Sequence, residues 1–196
     1  MVVRILTVAL AIASMLPMTG CEKSQADPRV PAQPAECELR IEVPAKIKQD
    51  AHGQIKVRIN NVGSVPVKLV MPGDGSAVSW RTPIIKWSLT RLDPPDSNDA
   101  PPLGFSGGRC GNINRLDPRE VFTLNPGESR ELSQWVNLPY GMPPGKYRAV
   151  FHYSNVPDMK WQGVSLGKHD KAAMRLVKRS TPISLVSNEV IVEIIE

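Results

Sequence analysis

A strict two-residue alternation of apolar and charged side chains constrains the fold of this chain more than any other feature. In residues 37–43, CELRIEV, every odd position is apolar and every even position is charged. Successive side chains of a β-strand point to opposite faces, so this pattern predicts a strand with one buried and one solvated face. The pattern recurs at residues 54–60 and 146–154, and the aromatic, apolar face of the latter segment predicts a central strand.

Other short apolar segments, separated by turn residues, predict five more strands, at residues 65–71, 84–92, 121–124, 130–136 and 189–195. Apolar residues on both sides of the last segment, such as Ile191, predict that it is covered on both faces, at least in part. A helix is predicted over residues 170–179, with Asp170 as its N-cap. Together these elements predict an all-β fold, an antiparallel β-sandwich of about seven to nine strands with one short helix before the last strand. An up-and-down barrel is the alternative, although its strands would need more even spacing.

Residues 1–20 have the organisation of a secretory signal. Arg4 carries the only charge, residues 5–16 form an apolar run, and the small residues Thr19 and Gly20 follow. This run is too short to cross roughly 30 Å of hydrocarbon as a helix, so a membrane span is the weaker interpretation.

The tetrapeptide Met18-Thr19-Gly20-Cys21 after this run resembles the lipobox of bacterial lipoproteins. The resemblance implies that Cys21 gains a diacylglyceryl thioether and becomes the acylated, palmitate-bearing N-terminus, which anchors the protein to a membrane of the bacterial cell envelope. Among enteric lipoproteins an Asp after the cysteine retains the protein in the inner membrane, so Glu22 favours the outer membrane. An ordinary secretory signal with an incidental cysteine is the alternative, and the choice between periplasmic side and cell surface stays open.

These boundaries predict three segments: a signal peptide at 1–20, a lipidated cysteine with a proline-rich tether at 21–36, and one domain at 37–196. Residues 22–36 hold three prolines and no apolar periodicity, which is typical of a disordered or polyproline-like tether. At about 3.1 Å per residue such a tether reaches roughly 45 Å from the membrane surface. The remaining segment is long enough to bury a core of its own.

Two cysteines remain once Cys21 is lipidated, and they form an even pair in an oxidising compartment. We therefore expect a disulfide between Cys37 and Cys110, which would stabilise the fold by roughly 3–5 kcal/mol if unstrained. Two free thiols, one of them buried, are the alternative. The three histidines lie in unrelated segments without a metal-binding motif, so no metal and no cofactor are expected.

Two turns give the domain a second resemblance. The motif LNPGE at 124–128 precedes a predicted strand, PGKYRA at 144–149 opens another, and Ser187-Asn188 stands before the terminal strand; in this order they make residues 37–196 similar to bacterial immunoglobulin-like domains. The resemblance implies an immunoglobulin-like sandwich in which Tyr147 takes the tyrosine-corner role. Ala149 stands where antibody domains have their second cysteine, so nothing of antibody recognition carries over.

The predicted helix carries the best-defined candidate contact surface. Lys171, Arg175 and Lys178 form a basic stripe opposite the apolar one. Such a stripe can rest against anionic headgroups or lipopolysaccharide, each cation contributing roughly 1 kcal/mol. An ordinary solvated helix face is the alternative interpretation.

The other candidates lie mainly in the irregular segment 93–119. Its acidic part, 93–99, has oxygen ligands for calcium but no EF-hand spacing, and solvated turn residues are the alternative. Its glycine-rich part, 104–111, lacks the GK[ST] of a phosphate loop, so a flexible loop is favoured. Aromatic residues near strand ends form a possible saccharide or partner platform, with core packing as the alternative: Trp80, Trp135, Trp161 and Tyr140.

Charge and motifs restrict the function classes. Without residues 1–20 the net charge is +4, and both signs are scattered, which does not indicate a nucleic-acid partner. No GxSxG motif or free candidate nucleophile occurs, so an enzyme is not expected. The sequence predicts a membrane-anchored envelope protein with a non-catalytic binding or structural domain, whose partner is an envelope protein or saccharide. An inhibitor or accessory subunit acting through residues 93–119 is the alternative, and an enzyme of unrecognised type is the third class.

Overall fold

The computed structural model describes six parts of the chain, residues 36–48, 55–93, 112–132, 136–139, 141–167 and 169–196. Several predicted features lie outside these residues: the lipobox with Cys21, the tether, Cys110, the glycine-rich segment and most of the acidic segment. The predictions about them remain predictions.

Strands dominate the described residues, which confirms the all-β prediction. The twelve strands of these ranges are β1 (Cys37–Glu42), β2 (Lys46–Lys48), β3 (Lys56–Asn61), β4 (Val67–Val70), β5 (Ile84–Arg91), β6 (Asn112–Ile113), β7 (Val121–Leu124), β8 (Ser129–Glu131), β9 (Gly145–Asn155), β10 (Val164–Ser165), β11 (Ile183–Val186) and β12 (Val190–Ile195). The helical elements are two short 3-10 helices, η1 (Ser76–Val78) and η2 (Pro118–Glu120), and the α-helix α1 (Lys171–Lys178).

β9 is the central strand of the largest sheet, as its alternation predicts. It pairs with β5 along one edge, and with β12 and then β11 along the other, all antiparallel. β2 extends this sheet beyond β12 in the parallel sense. The inward side chains of β9 are almost completely buried: Tyr147, Ala149, Phe151 and Tyr153.

A second, three-stranded sheet has the order β1-β3-β8, and two small sheets pair β4 with β7 and β6 with β10. The end of β11 connects the two larger sheets, because Leu39 of β1 bridges Ser187 in parallel. The Asn188 side chain continues this bridge: its Oδ1 accepts the Ile41 N–H at 2.8 Å, and its Nδ2 donates to the Ile41 carbonyl at 3.1 Å.

One large core takes side chains from both larger sheets, including Leu39, Ile59, Phe151 and Val192. A smaller core lies beside it, where α1 packs on η2 and β7. Its buried members are Val70, Leu116, Ala173 and Val177. The small core fixes the position of α1, and therefore of the basic stripe.

The structure corrects the predictions in three places. The outer side of the last strand is covered less than expected, since Ile191 is 58% exposed there, although Ile195 on the same side is half-buried. The strands also exceed the expected seven to nine, because β2, β6, β10 and β11 are two to four residues long and show no readable alternation. β11 lies between α1 and the last strand, so the helix precedes the last two strands.

Candidate functional site

Local interactions fix α1 at both its start and its inner face. The Asp170 carboxylate caps the helix by accepting the N–H groups of Ala172 and Ala173 at 2.5 and 3.1 Å. Ala173 and Val177, four residues apart, are buried in the small core. The opposite face of the helix is therefore turned to solvent.

The predicted basic stripe occupies this solvent face. Lys171, Arg175 and Lys178 are all exposed, at spacings of four and three residues that place neighbouring side chains about 5–6 Å apart. No ion pair within the described ranges engages any of the three. Arg175 and Lys178 interact favourably with the C-terminal end of the helix dipole, whereas Lys171 in the first turn opposes it. Helix stability therefore does not account for the whole stripe.

A buried charged cluster behind α1 was not foreseen from the sequence. Arg81, fully buried, donates from both terminal nitrogens to Glu120 Oε1 at 3.4 Å, and from Nε to the Thr82 carbonyl at 3.2 Å. The Trp161 ring lies 4.9 Å from its guanidinium carbon. Burial lowers the pKa of Arg81, and Glu120 raises it, but an arginine stays charged at any physiological pH. A Cβ on Gly73 would lie 2.7 Å from Arg81 Nη1, so a larger residue at Gly73 would displace the Arg81 side chain.

The imidazole of His169 joins the same cluster. Its Nδ1 accepts the backbone N–H of Leu116 at 3.0 Å, and its Nε2 lies 2.5 Å from Ser165 Oγ. Because Nδ1 accepts, the neutral ring carries its proton on Nε2 and donates it to the serine. A general base would need the opposite arrangement, with an unprotonated nitrogen facing the hydroxyl. In this geometry the pair positions the chain and does not activate a nucleophile.

The candidate aromatic platform is only partly within the described residues. Trp80 and Trp161 are brought together, since the Gln162 N–H donates to the Trp80 carbonyl at 2.7 Å. Trp161 packs edge-on against His169, with ring centroids 5.1 Å apart, as well as on Arg81. This is a packing role. Trp135 and Tyr140 lie outside the described ranges.

The remaining candidates give no assembled site in the described residues. The Asp93 carboxylate accepts the Lys146 N–H at 2.6 Å, and the rest of the acidic segment lies outside those residues. No group of three or more potential metal ligands occurs in the parts of the chain that the structure describes. None of the helices in those parts is long and apolar enough to cross a membrane.

Cys37 is half-buried at the start of β1 and has no cysteine partner among the described residues. Burial raises the pKa of Cys37, so at neutral pH it carries less of the reactive thiolate than an exposed cysteine does. Its expected partner, Cys110, is not among the described residues, and the disulfide remains a prediction.

The fold and this surface define a mostly-β protein with a solvated basic helix face. Comparison of the chain with protein-family models, with curated proteins and with solved structures finds no match at a significant level. Its function must therefore be argued from its own residues.

Proposed function

We propose that this chain is a lipid-anchored protein of the bacterial envelope, and that its domain binds an anionic partner surface without catalysis. The contact surface is the basic stripe of α1, formed by Lys171, Arg175 and Lys178. The partner is a membrane leaflet or glycolipid rich in anionic headgroups.

The anchor rests on the sequence at Cys21. An apolar run that ends at Met18-Thr19-Gly20-Cys21 is what lipoprotein processing requires. Two or three acyl chains give stable membrane attachment, because each buried methylene contributes roughly 0.8 kcal/mol and a single chain binds only reversibly. Glu22 favours the outer membrane.

For the domain we infer an immunoglobulin-like β-sandwich. Two larger sheets share one core, and the Tyr147 hydroxyl donates to the carbonyl of Pro143, four residues upstream, at 2.8 Å. A tyrosine at the start of a strand that bonds back to the preceding turn is the tyrosine-corner arrangement of such domains. Ala149 is buried two residues later, where a disulfide cysteine would stand in an antibody domain.

The observation that carries the binding proposal is the unpaired state of the stripe. Three exposed cations share one helix face, no carboxylate of the described residues neutralises them, and Lys171 opposes the helix dipole. At roughly 1 kcal/mol for each cation near an anionic surface, the stripe contributes about 3 kcal/mol. That corresponds to an affinity gain on the order of a hundredfold.

The test is cosedimentation with anionic and with zwitterionic vesicles at low salt. Residues 22–196 are used, so that neither acyl chains nor the apolar run of residues 5–16 contributes to vesicle binding. Charge reversal at Lys171, Arg175 and Lys178 to Glu is compared with the same reversal at the exposed cations Lys48, Lys56 and Lys86, which changes the net charge equally.

We expect the stripe variant to lose binding to anionic vesicles by a hundredfold or more, and the control variant to lose far less. Equal losses would show that net charge alone attracts the protein, and unchanged binding in the stripe variant would refute the proposal. The alternative of an accessory subunit acting through residues 93–119 predicts instead a partner that is lost on deletion of residues 94–109.

A further inference from the structure

His169 holds together three segments around the small core. Ser165 belongs to β10, Leu116 immediately precedes Asp117, the N-cap of η2, and the residue after His169 caps α1. Leu116 is completely buried, and the ring of His169 also packs edge-on against Trp161. The imidazole is thus the polar link between the start of α1 and the segment on which the helix packs.

Protonation would break one specific bond of this link. The neutral ring accepts from the Leu116 N–H at Nδ1 and donates from Nε2 to Ser165 Oγ. An imidazolium donates from both nitrogens, so its Nδ1–H would face the backbone N–H donor of Leu116. The serine oxygen can accept from Nε2–H in either state. Protonation therefore breaks only the bond to Leu116, and the buried N–H of Leu116 loses its acceptor.

The surroundings also oppose a cationic ring. The charged groups nearest in the neighbouring elements are the cations Arg81, Arg115, Arg119 and Lys171 and the anions Asp117, Glu120 and Asp170. Each anion is already engaged: Asp117 by Arg119, Glu120 by Arg81, and Asp170 by the first amides of α1. Burial lowers the pKa of His169, and the charges of Arg81 and Arg115 lower it further. Glu120 raises the pKa, but its effect is smaller than that of Arg81. The positive end of the α1 dipole acts in the same direction as the two arginines.

We propose that His169 is an acid-sensitive latch: in its neutral form it ties β10 and the start of α1 to the Leu116 segment, and in its protonated form it releases the Leu116 N–H. Release removes the side-chain hydrogen bond that ties the start of α1 to the segment before η2. The latch requires neither the anchor nor a partner bound to the basic stripe.

The direction of the pH effect follows from the lowered pKa. A histidine of this kind binds its proton more weakly in the closed state than in the open one. The latch is therefore fully closed above the ordinary histidine pKa of about 6.5 and weakens as the pH falls below it, until the lowered pKa is reached. In that window the equilibrium constant for opening rises by up to tenfold for each pH unit.

The backbone amide of Leu116 reports the latch directly through hydrogen exchange. Exchange of the full chain is measured between pH 7.5 and pH 5, and each rate is divided by the intrinsic rate at that pH. The Ala149 amide, in the centre of β9, serves as the internal control. We expect the protection of Leu116 to fall by several-fold to tenfold per pH unit below pH 6.5, while that of Ala149 changes far less.

Two variants separate the latch from general acid effects. In His169→Asn the amide oxygen stands at the position of Nδ1 and accepts the same N–H without titrating, so protection at Leu116 should become independent of pH. His152→Asn removes the histidine that contacts Ser88 on the large sheet, and should leave the pH dependence of Leu116 unchanged.

Three results would overturn the latch: constant protection of Leu116 in the natural chain, an equal loss in His169→Asn, or a loss abolished by His152→Asn. If His169→Asn does not fold, the nitrogen resonances of His169 in the natural chain decide the matter. A ring protonated at Nε2 that titrates below pH 6.5 supports the latch. A ring protonated at Nδ1, or one that titrates at or above pH 6.5, refutes it.

Discussion

Removal of the Glu120 carboxylate is expected to destabilise the protein mainly through the charge that it leaves behind. The Arg81 side chain has no exposed surface, whereas that of Glu120 is 26% exposed. Water can therefore reach the carboxylate but not the guanidinium. Glu120→Ala leaves Arg81 buried without its counter-charge, while Arg81→Met leaves a carboxylate that can still be solvated.

The magnitude follows from this asymmetry. Breaking a fully buried ion pair costs about 3–5 kcal/mol, and the partial exposure of Glu120 reduces this to about 2–3 kcal/mol for Glu120→Ala. Arg81→Met removes the buried charge together with its long hydrogen bonds, and we expect a loss of about 1 kcal/mol. Glu120→Ala should then add little in the Arg81→Met background. The coupling energy of the pair is therefore expected to be about 2 kcal/mol.

The assay is urea unfolding at pH 7 of the two single variants, the double variant and the natural chain. Far-UV circular dichroism is preferable to fluorescence, because Trp161 stacks on Arg81 and would report the substitution itself. With a slope of 1–3 kcal/mol per molar urea, a change of 2 kcal/mol moves the midpoint by about 1 M. Glu131→Ala is the matched control, since Glu131 pairs with the exposed Arg58 at 3.8 Å and should change stability by less than about 0.5 kcal/mol.

Additivity would refute this reasoning. If Glu120→Ala costs the same with and without Arg81, the loss comes from other contacts of Glu120. One such contact is the bond from the Asp117 N–H to Glu120 Oε2 at 2.6 Å, which both backgrounds share.

Three further predictions concern single residues. Tyr147→Phe removes the hydrogen bond to Pro143 and should cost about 1 kcal/mol in urea unfolding; an unchanged midpoint would remove the support for a tyrosine corner. Gly73→Ala should cost about 1–3 kcal/mol by displacing Arg81, and less in the Arg81→Met background; an equal cost in both would point to the backbone instead. Hydrogen bonds from Arg119 lower the pKa of Asp117 to about 2. The stabilisation from the Asp117 carboxylate is therefore present above pH 4 and should be lost as the pH falls towards 2. Asp117→Asn should flatten that part of an acid unfolding profile, and an unchanged profile would contradict this prediction.

The sequence predicts the strands well where one face is buried and the other is not. Seven of the eight segments with readable apolar patterns contain strands of four or more residues, whereas segment 130–136 overlaps β8 only at residues 130 and 131, with residues 133–135 outside the described ranges. The alternation in residues 146–154 also identifies the centre of the large sheet. The helix is equally readable, because its cap, its apolar stripe and its basic stripe each carry a separate signal. These are local patterns of period 2 and 3.6.

The buried cluster could not be predicted in this way. Arg81 meets Glu120 across 39 positions, and Leu116 meets His169 across 53, and neither pair stands in an alternating segment. Lone charged or polar residues in turns are usually solvated, so the sequence offers no reason to bury these. The one available signal was the Pro-Gly-Asp-Gly turn at residues 72–75, which brings Gly73 against Arg81.

The prediction for the outer face of β12 is wrong at Ile191 for a related reason. Ile191 was expected to be covered because it is apolar, yet it lies on the solvent side of the large sheet. Most buried residues are apolar, but many apolar residues remain on the protein surface. Apolar character alone therefore does not predict that a residue is buried.

The central claim, that the chain is held at the envelope through Cys21, is tested most directly by the mass of its N-terminal peptide. The protein is extracted with detergent from the membrane fraction of cells that express the full chain, and is then digested. We expect a peptide that begins at Cys21 and carries a diacylglyceryl group on sulfur. A peptide with an unmodified Cys21, or protein found only in the soluble fraction, would contradict the account.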